Sequence, residues 1–242
     1  MSGTATQRLN VIHTEHATVV EFANPEQKNV IDDAFVGELH AALDASDERK
    51  LLAFRGSGGV FSVGRPHSST GHPGGPEAAR KALMDVVRMN ARVAKWKAPT
   101  VALVAGFAHG AALGLTQQCD IVVAETGTVL SFPEITYNLP PGLVVSYLRR
   151  CVNEKAARWL VMAGRPVDAE RAREMGLIST VVAAGTLQKE GDALIAELGG
   201  RLEAEIWLKE SLVKFNPWPG NLDELMEQGV GTVAAWGARN KK

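Results

Sequence analysis

The stretch KAPTVALVAGFAHGAALGLTQQCDIVVAE (residues 97–125) decides the fold, because it contains a strand, a turn, a helix and a second strand in succession. Its first part, PTVALVAG, is a run of β-branched and small apolar residues that predicts a buried strand. The part GAALGLTQQ predicts a helix that opens directly after a glycine turn. DIVVAE predicts the next strand. This alternation is the pattern of an α/β domain.

The same stretch has a second interpretation, as a membrane-spanning helix. No residue from Ala98 to Cys119 carries a formal charge, and a run of that length can cross a bilayer. However, the run contains Pro99, three glycines and the polar pair Gln117–Gln118. We therefore expect a buried strand, turn and helix, and no membrane partner.

The composition is that of an ordinary globular protein. The chain has 242 residues, 45% hydrophobic and 22% charged, with a formal net charge of -1, so we expect no nucleic-acid partner. The two cysteines are too few for a disulfide scaffold, and together with an N-terminus that has no apolar signal region they favour the cytoplasm. The six histidines show no metal-ligand spacing, so we expect no metal site.

The remaining chain continues the alternation, and its last sixty residues are mostly helical, interrupted by NPWPGN. Short strands are predicted in LNVIHTEH, ATVVEFA, KLLAFRG, TVLSF and LISTVV, with helices between them. Two helices have clear boundaries, one from the N-cap Asn153 to Gly164 and one from the N-cap Asp168 to Gly176. The C-terminal segment GVGTVAAWGARNKK is short and lacks a clear extended final helix.

Two loops at the ends of buried strands are candidates for ligand binding. FSVGRP follows LLAFRG, and GFAHGAALG follows TVALVAG. Small residues at such places let backbone N–H groups approach a ligand closely. Two N–H groups aimed at one carbonyl oxygen form an oxyanion hole, which stabilises negative charge as it develops.

Five segments in register resemble the enoyl-CoA hydratase/isomerase (crotonase) superfamily: NPEQKNVID, AFRGSGGVFSVG, residues 97–125, FPEITYNLPPG and GRPVDAERAREMGLISTVV. The resemblance implies an α/β fold, a crotonase-like spiral of repeated β-β-α units with a helical C-terminal trimerisation region. It implies a spiral core over residues 1–185 that holds the thioester site, and a helical region over 186–242. The expected assembly is a homotrimer or a dimer of trimers. The expected substrate is an acyl thioester of coenzyme A or of a carrier protein, with no permanently bound cofactor.

The resemblance also implies roles for individual residues. The backbone N–H groups of Arg65 and Ala111 are the expected oxyanion donors, and Glu134 is the expected catalytic carboxylate. Pro66 has no N–H, so one usual contact to adenine is lost. Lys28 is either a surface charge or a contact to the nucleotide portion. The residues implied to bind the coenzyme A thioester are Lys28, Arg65, Pro66, His67, Ser68 and Ala111.

One position departs from the hydratases of this superfamily. These enzymes carry one glutamate in the helix after the glycine turn and a second in the PE segment; here the first position is Gly114 and the second is Glu134. A single base can take a proton from one carbon and return it to another without water. We therefore expect double-bond isomerisation. The alternatives are a hydratase or hydratase-lyase, and a catalytically silent thioester-binding subunit.

Three aromatic or imidazole side chains near these segments have open roles. His109 is expected to be a packed, hydrogen-bonded histidine, with a proton shuttle as the alternative. Tyr137 and Tyr147 either line an acyl pocket or pack in the core.

Overall fold

A computed structural model describes residues 7–66, 74–215 and 222–239. Two sheets lie at its centre. The strands are β1 (Leu9–His13), β2 (Ala17–Phe22), β3 (Leu51–Gly56), β4 (Thr100–Val104), β5 (Phe107–His109), β6 (Ile121–Glu125), β7 (Val129–Ser131), β8 (Val167–Asp168) and β9 (Thr180–Val182). The larger sheet has the order β1-β2-β3-β4-β6-β9, and all its neighbours are parallel except the antiparallel hairpin β1–β2. The smaller sheet has the order β5-β7-β8.

The helices are α1 (Asp33–Asp44), α2 (Gly75–Ala94), α3 (Ala111–Thr116), α4 (Gly142–Cys151), α5 (Glu154–Arg158), α6 (Ala169–Met175), α7 (Leu187–Gly199), α8 (Leu202–Phe215) and α9 (Leu222–Arg239). Both predicted N-caps are confirmed, because the side chains of Asn153 and Asp168 accept hydrogen bonds from N–H groups in the first turn. The predicted ends are confirmed as well: Gly176 adopts the left-handed conformation after α6, and Gly164 does so after a π-helical turn, Trp159–Ala163, that continues α5.

The two sheets are joined by a repeated β-β-α turn. β4 belongs to the large sheet, β5 to the small sheet, and α3 follows; β6, β7 and α4 repeat this order. After β3, Ser62 forms an isolated parallel bridge to Ala108 of β5 before the chain reaches α2. The predicted α/β spiral of β-β-α units is therefore the observed fold. β5 and β8 were not predicted, because elements of three and two residues carry no readable periodicity.

Side chains of the large sheet alternate between two cores. One face joins the main core around Phe22, Phe54 and Val104. The other face, with Val19, Ala53 and Leu103 among its residues, packs against Ile195 and Leu198 of α7. Helix α7 approaches the sheet closely at Gly191, where an added Cβ would lie 2.4 Å from Leu103 Cδ1.

The expectation of no extended final helix is wrong, because α9 runs over Leu222–Arg239. Its glycines lower the helix propensity of the segment. Packing compensates: a Cβ added to Gly142 of α4 would lie 2.6 Å from the carbonyl oxygen of Gly229, so the two backbones touch. The indole of Trp236 also donates a hydrogen bond of 2.9 Å to the Asn138 carbonyl. Local pattern alone does not contain this tertiary contact.

The uncharged run between Ala98 and Cys119 divides into β4, β5 and α3. Within the described ranges, no helix combines the length and the apolar character needed to cross a membrane. The same residues contain no group of three or more His, Cys, Asp and Glu side chains arranged to hold a metal ion.

Candidate functional site

The two glycine loops predicted to bind a ligand meet at Gly64. This residue has a φ of 79°. A Cβ added there would lie 2.2 Å from the carbonyl oxygen of His109 and 3.2 Å from the backbone nitrogen of Ala111. Any side chain at position 64 would therefore push the loops apart. Glycine brings the peptide that leads into Arg65 against the turn that leads into Ala111.

Within the described residues, the predicted oxyanion donors have no hydrogen-bond partner. The N–H groups of Arg65 and Ala111 donate no hydrogen bond there, whereas those before them do. Gly64 N–H donates to Ser62 Oγ at 2.9 Å, and Gly110 N–H donates to the Ser131 carbonyl at 2.9 Å. Two donors on adjacent loops are thus not used by the described part of the chain and can serve a ligand.

The carboxylate of Glu134 lies beside the same turn. Gly110 has φ 52° and ψ -118°, a conformation that favours glycine. A Cβ added to it would lie 3.0 Å from Glu134 Oε1. The carboxylate therefore packs directly over the residue that precedes Ala111. The structure brings Arg65, Ala111 and Glu134 to one place, although they are far apart in the sequence.

A short 3-10 helix, Pro133–Tyr137, holds Glu134 in this position. The carbonyl of Glu134 accepts hydrogen bonds from the N–H groups of Asn138 and Leu139. Asn138 adopts the left-handed conformation. Gly164 lets the next turn approach, because a Cβ there would lie 2.7 Å from Ile135 Cγ2. The backbone around the carboxylate is therefore fixed on both sides.

The electrostatic environment of Glu134 is unusual for a carboxylate. Its Oε2 is buried and has no hydrogen-bond partner within the described residues. This burial raises the pKa of Glu134, because the charged form loses solvation. An acid whose pKa moves toward neutrality, with an unused oxygen, is suited to accept and return a proton.

Gly114 and Tyr147 lie in contact at the next turn of α3. A Cβ added to Gly114 would lie 2.5 Å from the Tyr147 hydroxyl oxygen. Tyr147 is 2% exposed, so its ring packs in the core, which is one of the two roles expected for it. Tyr137, in contrast, is 55% exposed and does not pack in the core.

His109 is packed and hydrogen-bonded, as expected. Its ring stacks on Phe107 with centroids 5.3 Å apart, and its Nδ1 lies 2.9 Å from Ser131 Oγ. Burial lowers the pKa of His109, which favours the neutral imidazole.

The residues implied to bind coenzyme A lie partly beside the site. Lys28 is exposed, and its carbonyl accepts a hydrogen bond of 3.1 Å from Val63 N–H, next to the first glycine loop. The Arg65 guanidinium pairs with Asp33 at 2.7 Å. Pro66 is exposed. His67 and Ser68 lie outside the described residues.

Sequence reasoning missed Asn29, which positions Lys28. Its side chain accepts a hydrogen bond from Asn24 N–H at 3.0 Å and donates to the carbonyls of Ser57 and Val60 at 3.0 and 2.9 Å. Asn29 and Lys28 both have a φ of 53°. Asparagine tolerates this conformation, and that was the available signal.

Comparison with known proteins places this geometry in a family. The family described as enoyl-CoA hydratase/isomerase matches residues 13–214. A Thermus thermophilus protein provisionally named an enoyl-CoA hydratase is 30% identical over 211 residues, which cover 85% of this chain and 83% of the relative. The human mitochondrial enoyl-CoA hydratase domain-containing protein 2 is 32% identical over 186 residues, 73% of this chain and 61% of the relative.

Solved structures agree on the fold. An enoyl-CoA hydratase/isomerase from Xanthobacter autotrophicus has a TM-score of 0.81 at 23% identity, covering 96% of this chain and 88% of its own. An enoyl-CoA hydratase from Mycobacterium avium has a TM-score of 0.83 at 20% identity, covering 96% and 95%. At this identity the likeness concerns the architecture alone.

Proposed function

This chain belongs to the enoyl-CoA hydratase/isomerase family, and from that premise we propose that it shifts a double bond in an unsaturated acyl thioester. One observation carries the proposal. The carboxylate of Glu134 is partly buried, has an unused oxygen, and packs over Gly110 beside two main-chain N–H groups without partners.

The proposed reaction needs one base and one oxyanion site. The thioester carbonyl oxygen accepts hydrogen bonds from the N–H groups of Arg65 and Ala111. Glu134 takes a proton from the α or γ carbon, and the electron pair of that C–H bond moves to the thioester oxygen to form a dienolate. The protonated Glu134 then returns the proton to the other carbon. The double bond has moved, and the carboxylate is regenerated.

Isomerisation is favoured over hydration by a single position. Gly114 has no side chain to hold and ionise water, and the Tyr147 hydroxyl fills the space in which a side chain would begin. The named relatives are called hydratases, so hydration, or hydration followed by C–C cleavage, is the alternative.

The ligand class follows from the family. We propose a coenzyme A thioester, or the phosphopantetheine thioester of a carrier protein, as substrate, with no permanently bound cofactor. The exposed Lys28 lies beside the first glycine loop, and we propose that it contacts the nucleotide portion. Arg65 contributes its N–H, while its guanidinium pairs with Asp33 through Nη2 and leaves the buried Nη1 without a partner among the described residues.

The proposed assembly is a homotrimer or a dimer of trimers formed through the region 186–242. The support is on α8, where four large apolar side chains are exposed: Trp207, Leu208, Leu212 and Val213. Exposed apolar surface of this kind marks contact sites between proteins. Light scattering of the purified protein measures the assembly directly.

The reaction is tested by mass spectrometry in deuterated water, with 3-enoyl and 2-enoyl coenzyme A thioesters as separate substrates. Isomerisation predicts that the two enoyl thioesters interconvert without a gain of water, with deuterium at C2 or C4 wherever the proton on Glu134 exchanges with the solvent before it is returned. Hydration predicts the mass of one added water. A silent binding subunit predicts stabilisation by the thioester without any label.

Two matched variants separate catalysis from general damage. Glu134→Gln should lower turnover by at least ~10²-fold, the usual effect of losing a general base, with little change in thioester affinity. Glu26→Gln is the control, because Glu26 also follows a proline in a 3-10 helix but is exposed. Equal rates for the wild type and Glu134→Gln would remove Glu134 from the mechanism.

A further inference from the structure

Tyr147 and Gly114 lie on different helices, and the residue at each position limits the size of the side chain that the other position can hold. The hydroxyl oxygen of Tyr147 lies 2.5 Å from the Cβ position of Gly114, whereas its Cζ lies 3.7 Å away. The first distance is a clash, and the second is an ordinary van der Waals contact. The hydroxyl alone therefore excludes side chains from position 114.

Within the described residues, the Tyr147 hydroxyl forms no hydrogen bond, although only 2% of the residue is exposed. The hydroxyl is not one of the fully buried polar atoms that lack a partner, so it keeps a small accessible surface. A phenylalanine would fill the core equally well. An accessible hydroxyl that the protein leaves unpaired can donate a hydrogen bond to a ligand.

The phenol stays protonated beside an ionised acid. Burial raises the pKa of Tyr147 well above its ordinary value, and the nearby charges of Glu134 and Cys151 raise it further. Tyr147 therefore remains a neutral hydrogen-bond donor over the working pH range.

We propose that Tyr147 is a specificity-determining residue: its hydroxyl keeps position 114 free of side chains and donates a hydrogen bond to an oxygen near the reacting carbons of the acyl group. The preferred substrates are then unsaturated acyl thioesters that carry a hydroxyl or carbonyl oxygen near the double bond. Plain alkyl thioesters leave the buried donor unsatisfied, and sites built to bond an oxygen discriminate strongly against ligands without one. The inference rests on the proposed function for the identity of the ligand.

The packing part is tested with four proteins: the wild type, Gly114→Ala, Tyr147→Phe and the double variant. Overpacking predicts that Gly114→Ala lowers Tm by roughly 3–10 °C. The double variant should unfold at or above the Tm of Tyr147→Phe, because the phenyl ring leaves room for the methyl group. Gly37→Ala is the control, because nothing lies within 4 Å of its Cβ position, and it should not lower Tm. A Gly114→Ala variant as stable as the wild type, or one that Tyr147→Phe does not rescue, overturns this part.

The ligand part is tested by calorimetry with saturated coenzyme A thioesters, which bind without turnover. Two ligands of equal length are compared, one alkyl and one with a keto oxygen at C4 or C5; a 3-hydroxyacyl thioester is avoided because a hydratase would dehydrate it. The wild type should bind the keto ligand about tenfold more tightly, the effect of giving one unpaired donor an acceptor. Tyr147→Phe should lose this preference, whereas Tyr137→Phe, at an exposed tyrosine, should keep it.

Equal affinities in the wild type, or a preference unchanged in Tyr147→Phe, overturn the ligand part. Because the measurement needs no reaction, it is separate from the proposed function. If neither enoyl thioester is converted into the other while the preference holds, the proposed reaction fails and Tyr147 remains a specificity determinant.

Discussion

Replacing Glu134 with glutamine should stabilise the protein while it removes activity, and the stabilisation should grow with pH. Glu134 carries a buried oxygen without a partner, and burial raises its pKa in the folded state. Above the ordinary range of a glutamate, the folded chain therefore binds more protons than the unfolded chain. The free energy of unfolding of the wild type then falls as pH rises through that window, until the carboxylate is fully ionised.

The magnitude follows from the unsatisfied group. An orphaned buried polar atom costs about 1–3 kcal/mol, and more when it is charged. Glutamine keeps a polar atom at this place but carries no charge, so the variant relieves only the extra cost of burying the charge. The free energy of unfolding of Glu134→Gln should therefore exceed that of the wild type by about 1–3 kcal/mol at pH about 8 and by little at pH about 4. For a chain of this size, 1 kcal/mol corresponds to a Tm shift of roughly 2–4 °C.

The assay is thermal and urea unfolding of both proteins across this pH range, with Glu26→Gln as the exposed control. The control should follow the wild type at every pH. A Glu134→Gln variant that is less stable than the wild type at pH about 8 would refute the reasoning. A stability difference that does not change with pH would refute it as well.

Three further predictions concern the turn and the carboxylate. Ala111→Pro should lower kcat by about 10²–10³-fold and leave Tm nearly unchanged. Proline fits the first position of α3 and removes only the N–H. An unchanged kcat would exclude this N–H as an oxyanion donor. Gly110→Ala should lower the free energy of unfolding, measured with urea, by about 1–3 kcal/mol, because φ 52° and ψ -118° disfavour any side chain. It should also remove most of the activity, because the added methyl group would press on the Glu134 carboxylate. The kcat/KM of the wild type should rise with pH as Glu134 ionises, with a midpoint above the ordinary range of a glutamate; a midpoint within or below that range contradicts the burial of the carboxylate.

The sequence predicts those parts of the fold that local chemistry determines. The caps Asn153 and Asp168 and the ends Gly164 and Gly176 were readable, because each acts within one turn. The final helix was not, since the contact of Gly229 with α4 stabilises it across a long stretch of chain. Helix propensity is a property of single residues and does not predict tertiary packing contacts.

The site shows the same division. Register with a known family indicated Glu134, and the positions of Arg65 and Ala111 followed from it. The pairing of Arg65 with Asp33 and the contact between Tyr147 and Gly114 are tertiary, and no periodicity in the sequence encodes them. Asn29 was also missed, because its three hydrogen bonds reach backbone atoms on both sides of it in the chain.

The most direct test is the structure of this protein bound to an unreactive acyl thioester. The thioester oxygen should lie about 3 Å from the backbone nitrogens of both Arg65 and Ala111, with the α carbon on the side of Glu134. A thioester oxygen that bonds to neither nitrogen, or an acyl chain that leaves Glu134 on its far side, would contradict the account.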